Sequence, residues 1–280
     1  MRILLLILLF SAGASADTPQ HLQDISVTIS ASGSQGSGVV FFRDGQSFVW
    51  TAGHVVDGLR QERSVTDPKT GTTRKIIEFR DAMVIKHLIE DGRTVGKTEL
   101  NAEIMRYSDA TVGEDLALLR VRKQDFIKDT VTFYLEEALP PIGTQLWHCG
   151  SLLGEQGSNS ITQGIMSQHG RLIDKTVYDQ TTVTAFPGSS GGGVYLGDGR
   201  YIGTLVRGAG EGFNLIVPVR RMVKWAKDAK VYWAIDPNEP MPSPEELKKL
   251  PVEDIGKEFL LKTDSPQEPL AFPFLTIRTD

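Results

Sequence analysis

Between residues 24 and 218 the chain is built from short apolar runs, each cut off by glycine, proline or charged residues. That texture restricts the fold more than any other feature. Ile25-Ser26-Val27-Thr28-Ile29 alternates apolar and polar with a period of two, the mark of a half-buried strand. Gly36-Ser37-Gly38 leads into Val39-Val40-Phe41-Phe42, Asp44-Gly45 signals a hairpin turn, and Ser47-Phe48-Val49-Trp50 reads as the return strand. Further runs at 75–79, 83–89, 103–107 and 116–121 are separated by polar and glycine turns. After Pro140-Pro141 a second set follows, at 145–149, 160–167, 177–185, 194–196, 201–206 and 213–217. Many short strands at this spacing predict an all-β fold of barrels or sandwiches and not an α/β sheet. A helical pattern is confined to the end. Val219, Met222, Val223 and Ala226 share one face after Pro218, which predicts a helix over 219–229.

Composition changes near residue 236, and eight of the 14 prolines lie beyond it. Ser243-Pro244-Glu245-Glu246 has the form of a capping box with proline at the first helical position. The rest of 236–280 reads as a Pro-rich extension, too short for a second domain of typical size. At the other end, Met1-Arg2, an apolar run over 3–10 and Ala14-Ser15-Ala16 form the pattern of a secretory signal peptide over 1–16, cut before Asp17. Its apolar core is too short to span a bilayer, and no later stretch suffices. The expected location is secreted or periplasmic, with no stable membrane insertion after the signal is removed. Cys149 is the only cysteine, so no internal disulfide is possible and the core alone must hold the fold. A formal net charge of −5, without a Lys/Arg cluster interleaved with aromatics, argues against nucleic acid as a partner. No H-E-x-x-H and no cysteine pair is present, so no metal site is expected. Gly208-Ala209-Gly210-Glu211-Gly212 falls in a hairpin, not between a strand and a helix, so no nucleotide cofactor is expected either.

The chemistry points to Phe186-Pro187-Gly188-Ser189-Ser190-Gly191-Gly192-Gly193. A serine among so many glycines suits a nucleophile in a tight turn, with free N–H groups able to hold an oxyanion. Alone, the stretch serves equally well as a Gly-rich hairpin connection. The histidines narrow the choice. His21, His54, His87, His148 and His169 all precede Ser190. Gly188-Ser189-Ser190-Gly191-Gly192 formally matches G-x-S-x-G, but the α/β-hydrolase elbow needs its histidine after the serine and a helix directly behind it. Gly191-Gly192-Gly193 disfavours that helix. A subtilisin-like order could be drawn with Asp44, yet Asp44-Gly45 is better explained as a turn. The order His54, Asp115, Ser190 remains, with Asp109 as the reserve acid.

Three stretches carry a resemblance: Thr51-Ala52-Gly53-His54, Asp115-Leu116-Ala117-Leu118-Leu119 and Gly188-Ser189-Ser190-Gly191-Gly192. They resemble the catalytic motifs of trypsin/chymotrypsin-like serine proteases, nearest to the disulfide-free HtrA/Deg branch. Gly150-Ser151-Leu152-Leu153-Gly154 with 162–167, and Tyr201-Ile202-Gly203-Thr204 with 213–218, are similar to that branch as well. The resemblance covers about 24–227. It implies two six-stranded antiparallel β-barrels, one over about 24–125 and one over about 140–218, within a protease domain of 17–235. It also implies roles: Ser190 as nucleophile, His54 as general base and acid, Asp115 as the group that fixes the imidazole, and the N–H groups of Gly188 and Ser190 as oxyanion hole.

Four departures stand out. Ser189 precedes the nucleophile where zymogen-activated relatives have aspartate, so that activation route is not expected. Gly193 replaces the usual proline. Thr184 stands six residues before Ser190, where trypsin-type specificity needs aspartate, so a strict Arg/Lys preference is not expected. The 50 residues after 230 are fewer than a PDZ domain needs. Val206, Arg207 and Gly208 should edge the substrate cleft, Arg207 favouring acidic groups. The expected function is a serine endopeptidase acting on polypeptides. The alternatives are a silent pseudoprotease serving as a binding or chaperone module, and an esterase using the same residues.

Overall fold

The computed structural model describes residues 18–253, except 67, 70, 72 and 209–211. The signal-peptide reading and the last 27 residues lie outside this range. A short helix, α1 (Thr18–Asp24), precedes the first strand and buries Leu22. Six strands then close into a barrel: β1 (Ser26–Ala31), β2 (Ser34–Arg43), β3 (Gln46–Thr51), β6 (Ala82–Glu90), β7 (Arg93–Ser108) and β8 (Leu116–Val121). Their order is β1-β2-β3-β8-β7-β6, with antiparallel pairing throughout. A four-residue helix, α2 (Gly53–Val56), follows β3, and β4 (Arg60–Thr66) with β5 (Thr73–Phe79) forms a separate two-stranded ribbon. The second barrel contains β9 (Gln145–Gly150), β10 (Ser160–Ile173), β11 (Thr176–Thr181), β12 (Gly193–Leu196), β13 (Tyr201–Gly208) and β14 (Asn214–Pro218), in the order β10-β11-β14-β13-β12-β9. The fold is thus the all-β pair of six-stranded barrels that the resemblance implied. Asp44 and Gly45 both hold positive φ, 48° and 77°, as a primed two-residue hairpin turn requires.

The helix expected after Pro218 is α3 (Val219–Asp228), burying Val219, Met222, Trp225 and Ala226. It returns the chain to the first barrel. Trp225 meets Trp50 of β3 edge-on at 5.9 Å, and the Trp50 indole donates to Ala234 O at 3.0 Å. Trp233 lies edge-on to Phe48 at 5.0 Å. One apolar cluster therefore joins both barrels and the segment behind them. The capping box is formed: Ser243 Oγ accepts from Glu246 N at the start of α4 (Pro244–Lys249). The stretch 236–253 lies on the first barrel, where the Arg43 guanidinium donates to the carbonyls of Trp233, Asp236, Pro237 and Glu239.

Two neighbouring groups on β9 are chemically silent by burial. Cys149 is fully buried, and burial pushes its thiol up to about 12. His148 is fully buried beside it; its Nδ1–H donates to Gly193 O at 3.0 Å and burial lowers its pKa to about 4. The sign of the pH effect follows. Above the ordinary histidine value neither folded nor unfolded chain carries this proton. As pH falls below 6.5 the unfolded chain binds it and the folded chain refuses it, so stability drops until about pH 4. The loss amounts to about 3 kcal/mol, at about 1.4 kcal/mol for each pH unit of displacement. Urea unfolding of the intact chain and of His148→Leu should show a smaller decline between pH 7 and 4 in the variant.

Candidate active site

β3 ends in Thr51 and delivers α2 to the seam between the barrels. Gly53 is needed there because α2 presses on the end of β7: a Cβ at Gly53 would lie 2.3 Å from Ser108 O. This contact brings His54 to Asp115. The His54 ring Nδ1 is 3.0 Å from Asp115 Oδ1 and 3.1 Å from Oδ2, and the His54 backbone N–H also donates to Oδ1, at 2.9 Å. Asp115 is 1% exposed, while the His54 side chain is 37% exposed. The buried carboxylate assigns the proton to Nδ1 and leaves Nε2 as the basic nitrogen on the open side.

Asp115 holds φ +55°, a conformation that aspartate tolerates better than most residues. The loop before it is built by Asp109, the reserve acid of the sequence reading. Asp109 Oδ1 accepts from Thr111 N at 2.7 Å and Val112 N at 2.9 Å, and Ser108 Oγ accepts from Glu114 N at 2.7 Å. Asp109 shapes the loop, and Asp115 is the acid that meets the imidazole.

The turn around Ser190 can be audited group by group, since every buried N–H and C=O needs a partner. All five carbonyls from Phe186 to Ser190 are taken. Ser189 N donates to Phe186 O (2.9 Å), Leu153 N to Pro187 O (2.7 Å), Ser37 Oγ to Gly188 O (2.7 Å), Gly192 N to Ser189 O (3.0 Å) and Ser37 N to Ser190 O (2.7 Å). Gly191 N donates to Leu205 O at 2.8 Å, and Phe186 N to Ser189 Oγ at 3.1 Å. Two N–H groups are left over. Those of Gly188 and Ser190 make no hydrogen bond among the described residues. Gly188 holds φ +95°, and a Cβ there would sit 2.3 Å from Ser151 O, so only glycine fits. Ser189 is fully buried and bonded within its own turn.

Ser190 and Val55, the neighbour of His54, both press on Gly36. A Cβ on Gly36 would touch Val55 Cγ2 at 2.5 Å and Ser190 O at 2.9 Å. Gly191 packs so closely on Thr51 and Ala52 that a Cβ there would be 2.2 Å from Thr51 Oγ1. Among the described residues no hydrogen bond joins the Ser190 hydroxyl to the His54 ring.

Comparison with known proteins agrees with this geometry. The family described as "Trypsin-like peptidase domain" matches residues 36–203. The chain belongs to the trypsin-like peptidase family. A "Serine protease Do-like HtrA" of Lactobacillus helveticus is 28% identical over 176 residues, 61% of this chain and 35% of that protein. One of the same description from Lactococcus lactis subsp. cremoris is 32% identical over 117 residues, 39% of this chain and 28% of that protein. The chain thus spans about a third of the length of the curated relatives it matches. Among solved structures, Deg5 superposes with a TM-score of 0.55 at 20% identity, covering 80% of this chain and 96% of Deg5. The serine endoprotease from Yersinia pestis gives 0.54 at 18%, covering 76% and 66%. These two share the fold.

In this trypsin-like peptidase the residues expected to edge a substrate cleft lie along two walls leaving the Ser190 turn. One wall continues from Leu205, whose N–H donates to Gly192 O at 3.0 Å, into Val206, Arg207 and Gly208. Val206 is buried. The Arg207 guanidinium donates to Ala110 O at 3.3 Å, pairs with Asp174 at 3.5 Å and lies over the Tyr178 ring at 5.3 Å. The other wall runs through Val183 and the exposed Thr184. Sequence reasoning missed the residue between the walls, Asn214. It pairs with Gly208 across β13–β14, donates Nδ2–H to Val183 O at 2.6 Å, and its Oδ1 would be 2.4 Å from a Cβ on Gly208. A lone amide in the run Asn214-Leu215-Ile216-Val217 was the available signal, because a buried polar group needs a reason.

Gly193 also finds an explanation: a Cβ there would lie 2.2 Å from Tyr195 Oη, so the tyrosine ring occupies the place of a side chain. Sequence reasoning likewise missed Ser37. Its N–H and hydroxyl hold two carbonyls of the Ser190 turn, its hydroxyl accepts from Ser151 N at 2.7 Å, and its carbonyl accepts from Thr51 Oγ1 at 2.7 Å. Among the described residues no group of three or more His, Cys, Asp or Glu is arranged to hold a metal ion. Ser37→Ala should lower the unfolding free energy by about 1–3 kcal/mol, since Ser151 N–H and Gly188 O lose a buried partner; urea unfolding measures it.

Proposed function

We propose that the chain is a serine endopeptidase that cleaves polypeptides through an acyl-enzyme formed on Ser190. The observation that carries the reading is the pair of leftover N–H groups, Gly188 and Ser190, in a turn whose other backbone groups are bonded. Such a pair stabilises the oxyanion of a tetrahedral intermediate, and losing one donor of this kind costs about 3–4 kcal/mol of transition-state stabilisation. His54 Nε2 takes the Ser190 proton and returns it to the leaving amine. Asp115 holds the ring in the required tautomer and stabilises the imidazolium. The Ser190 hydroxyl closes on His54 when substrate arrives, in keeping with the looser catalytic hydrogen bonds of unliganded enzymes. The leader pattern over 1–16 supports export, and with it a secreted or periplasmic site of action. The competing reading, a silent binding module, rests on the missing Ser190–His54 bond.

With the carbonyl oxygen in the hole, the side chain of the acyl residue enters the gap between the Val183–Thr184 and Val206–Gly208 walls. Asn214 closes that gap, and Thr184 supplies no carboxylate for a basic group. The substrate class is therefore a peptide with a small uncharged side chain before the scissile bond, and Arg207 favours acidic residues further upstream.

A fluorophosphonate probe should label the intact chain and fail to label Ser190→Ala; absence of labelling in both would favour the binding module. Asn214→Gly should raise kcat/KM for large apolar side chains before the scissile bond by about 10-fold or more, the scale of one or two methylenes in a pocket. Peptide-library profiling of both proteins reads this out, and an unchanged profile would reject the assignment of Asn214.

A further inference from the structure

The stretch 236–253 is not part of either barrel, and its last described residues grip two particular places, the start of the β4–β5 ribbon and the end of β7 in the first barrel. Glu253 forms a two-pronged ion pair with Arg60: Nε to Oε1 at 3.0 Å and Nη2 to Oε2 at 3.0 Å. Both side chains are mostly shielded, 27% and 16% exposed. One residue earlier, Val252 O accepts from Tyr107 N at 2.8 Å, and Glu253 bridges Tyr107 in parallel. Met241, Leu247 and Val252 pack against the main apolar cluster.

These grip points are the roots of the His54–Asp115 pair. Arg60 follows α2 after a single 3₁₀ turn, Asp57–Leu59, and opens β4, so it anchors the chain leaving the element that starts with Gly53-His54. Tyr107 is the penultimate residue of β7, and Ser108 beside it supports both the Asp115 loop and the close approach of Gly53. Tyr107 also ties the two roots directly, its hydroxyl donating to Asp57 Oδ1 at 2.8 Å. Burial, then the Asp57 carboxylate, raises the Tyr107 hydroxyl well above the usual phenol range, so it stays the donor.

We infer that the C-terminal stretch acts as a strap that sets the His54–Asp115 geometry, with Arg60 and Glu253 as positioning residues that never touch substrate. The inference rests on the endopeptidase reading for its rate effect. Its physical basis is that a misplacement of about 1 Å in a catalytic group can cost about a hundredfold in rate. The bidentate pair fixes both distance and angle, which a single contact would not.

The test uses the full chain and four variants: Glu253→Gln, Glu253→Arg, Arg60→Glu, and the double exchange Arg60→Glu/Glu253→Arg. Active sites are counted with the fluorophosphonate probe, and kcat and KM are measured per labelled site well below the melting temperature. Glu253→Arg and Arg60→Glu should each lower kcat about tenfold with KM changed less than about twofold, and the exchange should recover most of it. Glu253→Gln, the mildest change, should fall between, which guards against a fold lost to charge reversal. Melting temperatures that drop while kcat per labelled site stays constant would overturn the inference, as would an exchange that recovers nothing. A second arm needs no turnover. The low-field proton resonance of His54 Nδ1, assigned by its loss in His54→Ala, should weaken or shift in Glu253→Arg and return in the exchange. If the intact chain takes no probe, the endopeptidase reading falls and this resonance alone decides the strap; an unchanged resonance in Glu253→Arg rejects it.

Discussion

Everything in the seam between the barrels turns on the hydrogen bonds of Ser37. This buried residue on β2 uses its N–H, its hydroxyl and its carbonyl at once, towards Ser190 O, Gly188 O, Ser151 N and Thr51 Oγ1. A β-strand residue ordinarily spends its backbone groups on its neighbours in the sheet. Ser37 sends its N–H and hydroxyl across the seam while its carbonyl holds Thr51 of its own barrel, and through them the first barrel fixes the turn that carries Ser190 in the second. The glycines around it serve the same end. Gly36, Gly53, Gly188 and Gly191 each stand where a Cβ would strike another segment, at 2.1 to 2.5 Å in the nearest case, so the four segments approach more closely than side chains allow.

Function and fold are coupled by this crowding. The Ser190 turn has no spare carbonyl, and its peptide planes are held by donors from two directions. Leu153 takes the unusual φ of +62° and donates to Pro187 O, which turns the Gly188 N–H to the opposite side. The His54–Asp115 pair is held in the same manner, by the approach of Gly53 to Ser108 and by three contacts from one buried carboxylate.

Much of the fold is legible from the sequence because its strands alternate or run apolar between clear turns; β1, the Asp44-Gly45 hairpin and α3 are examples. What escapes has physical reasons. β4 reads Arg60-Gln61-Glu62-Arg63-Ser64-Val65-Thr66, and as one arm of an exposed ribbon it has no buried face to impose a period. α1 buries Leu22 alone. β7 and β10 extend well past their apolar stretches because their far ends pair in solvent-facing hairpins. At the site, His54, Asp115 and Ser190 are visible through order and flanking glycines. Ser37, Asn214 and Glu253 are not, because their importance comes from partners distant in the chain: Ser37 meets Gly188, 151 positions away, and Glu253 meets Arg60, 193 away.

The two N–H groups left over in the Ser190 turn have a consequence for how such a protein can change. They belong to the main chain, so no exchange of side chain short of proline, which has no N–H, deletes either one. A gene can drift at almost every neighbouring codon and still encode both donors. The vulnerable point is their orientation, and it is guarded by one achiral residue at position 188, where even the smallest branch on the α-carbon would collide with Ser151 O. Inheritance of this pair of free donors is thus reduced to a steric rule, written in the absence of atoms.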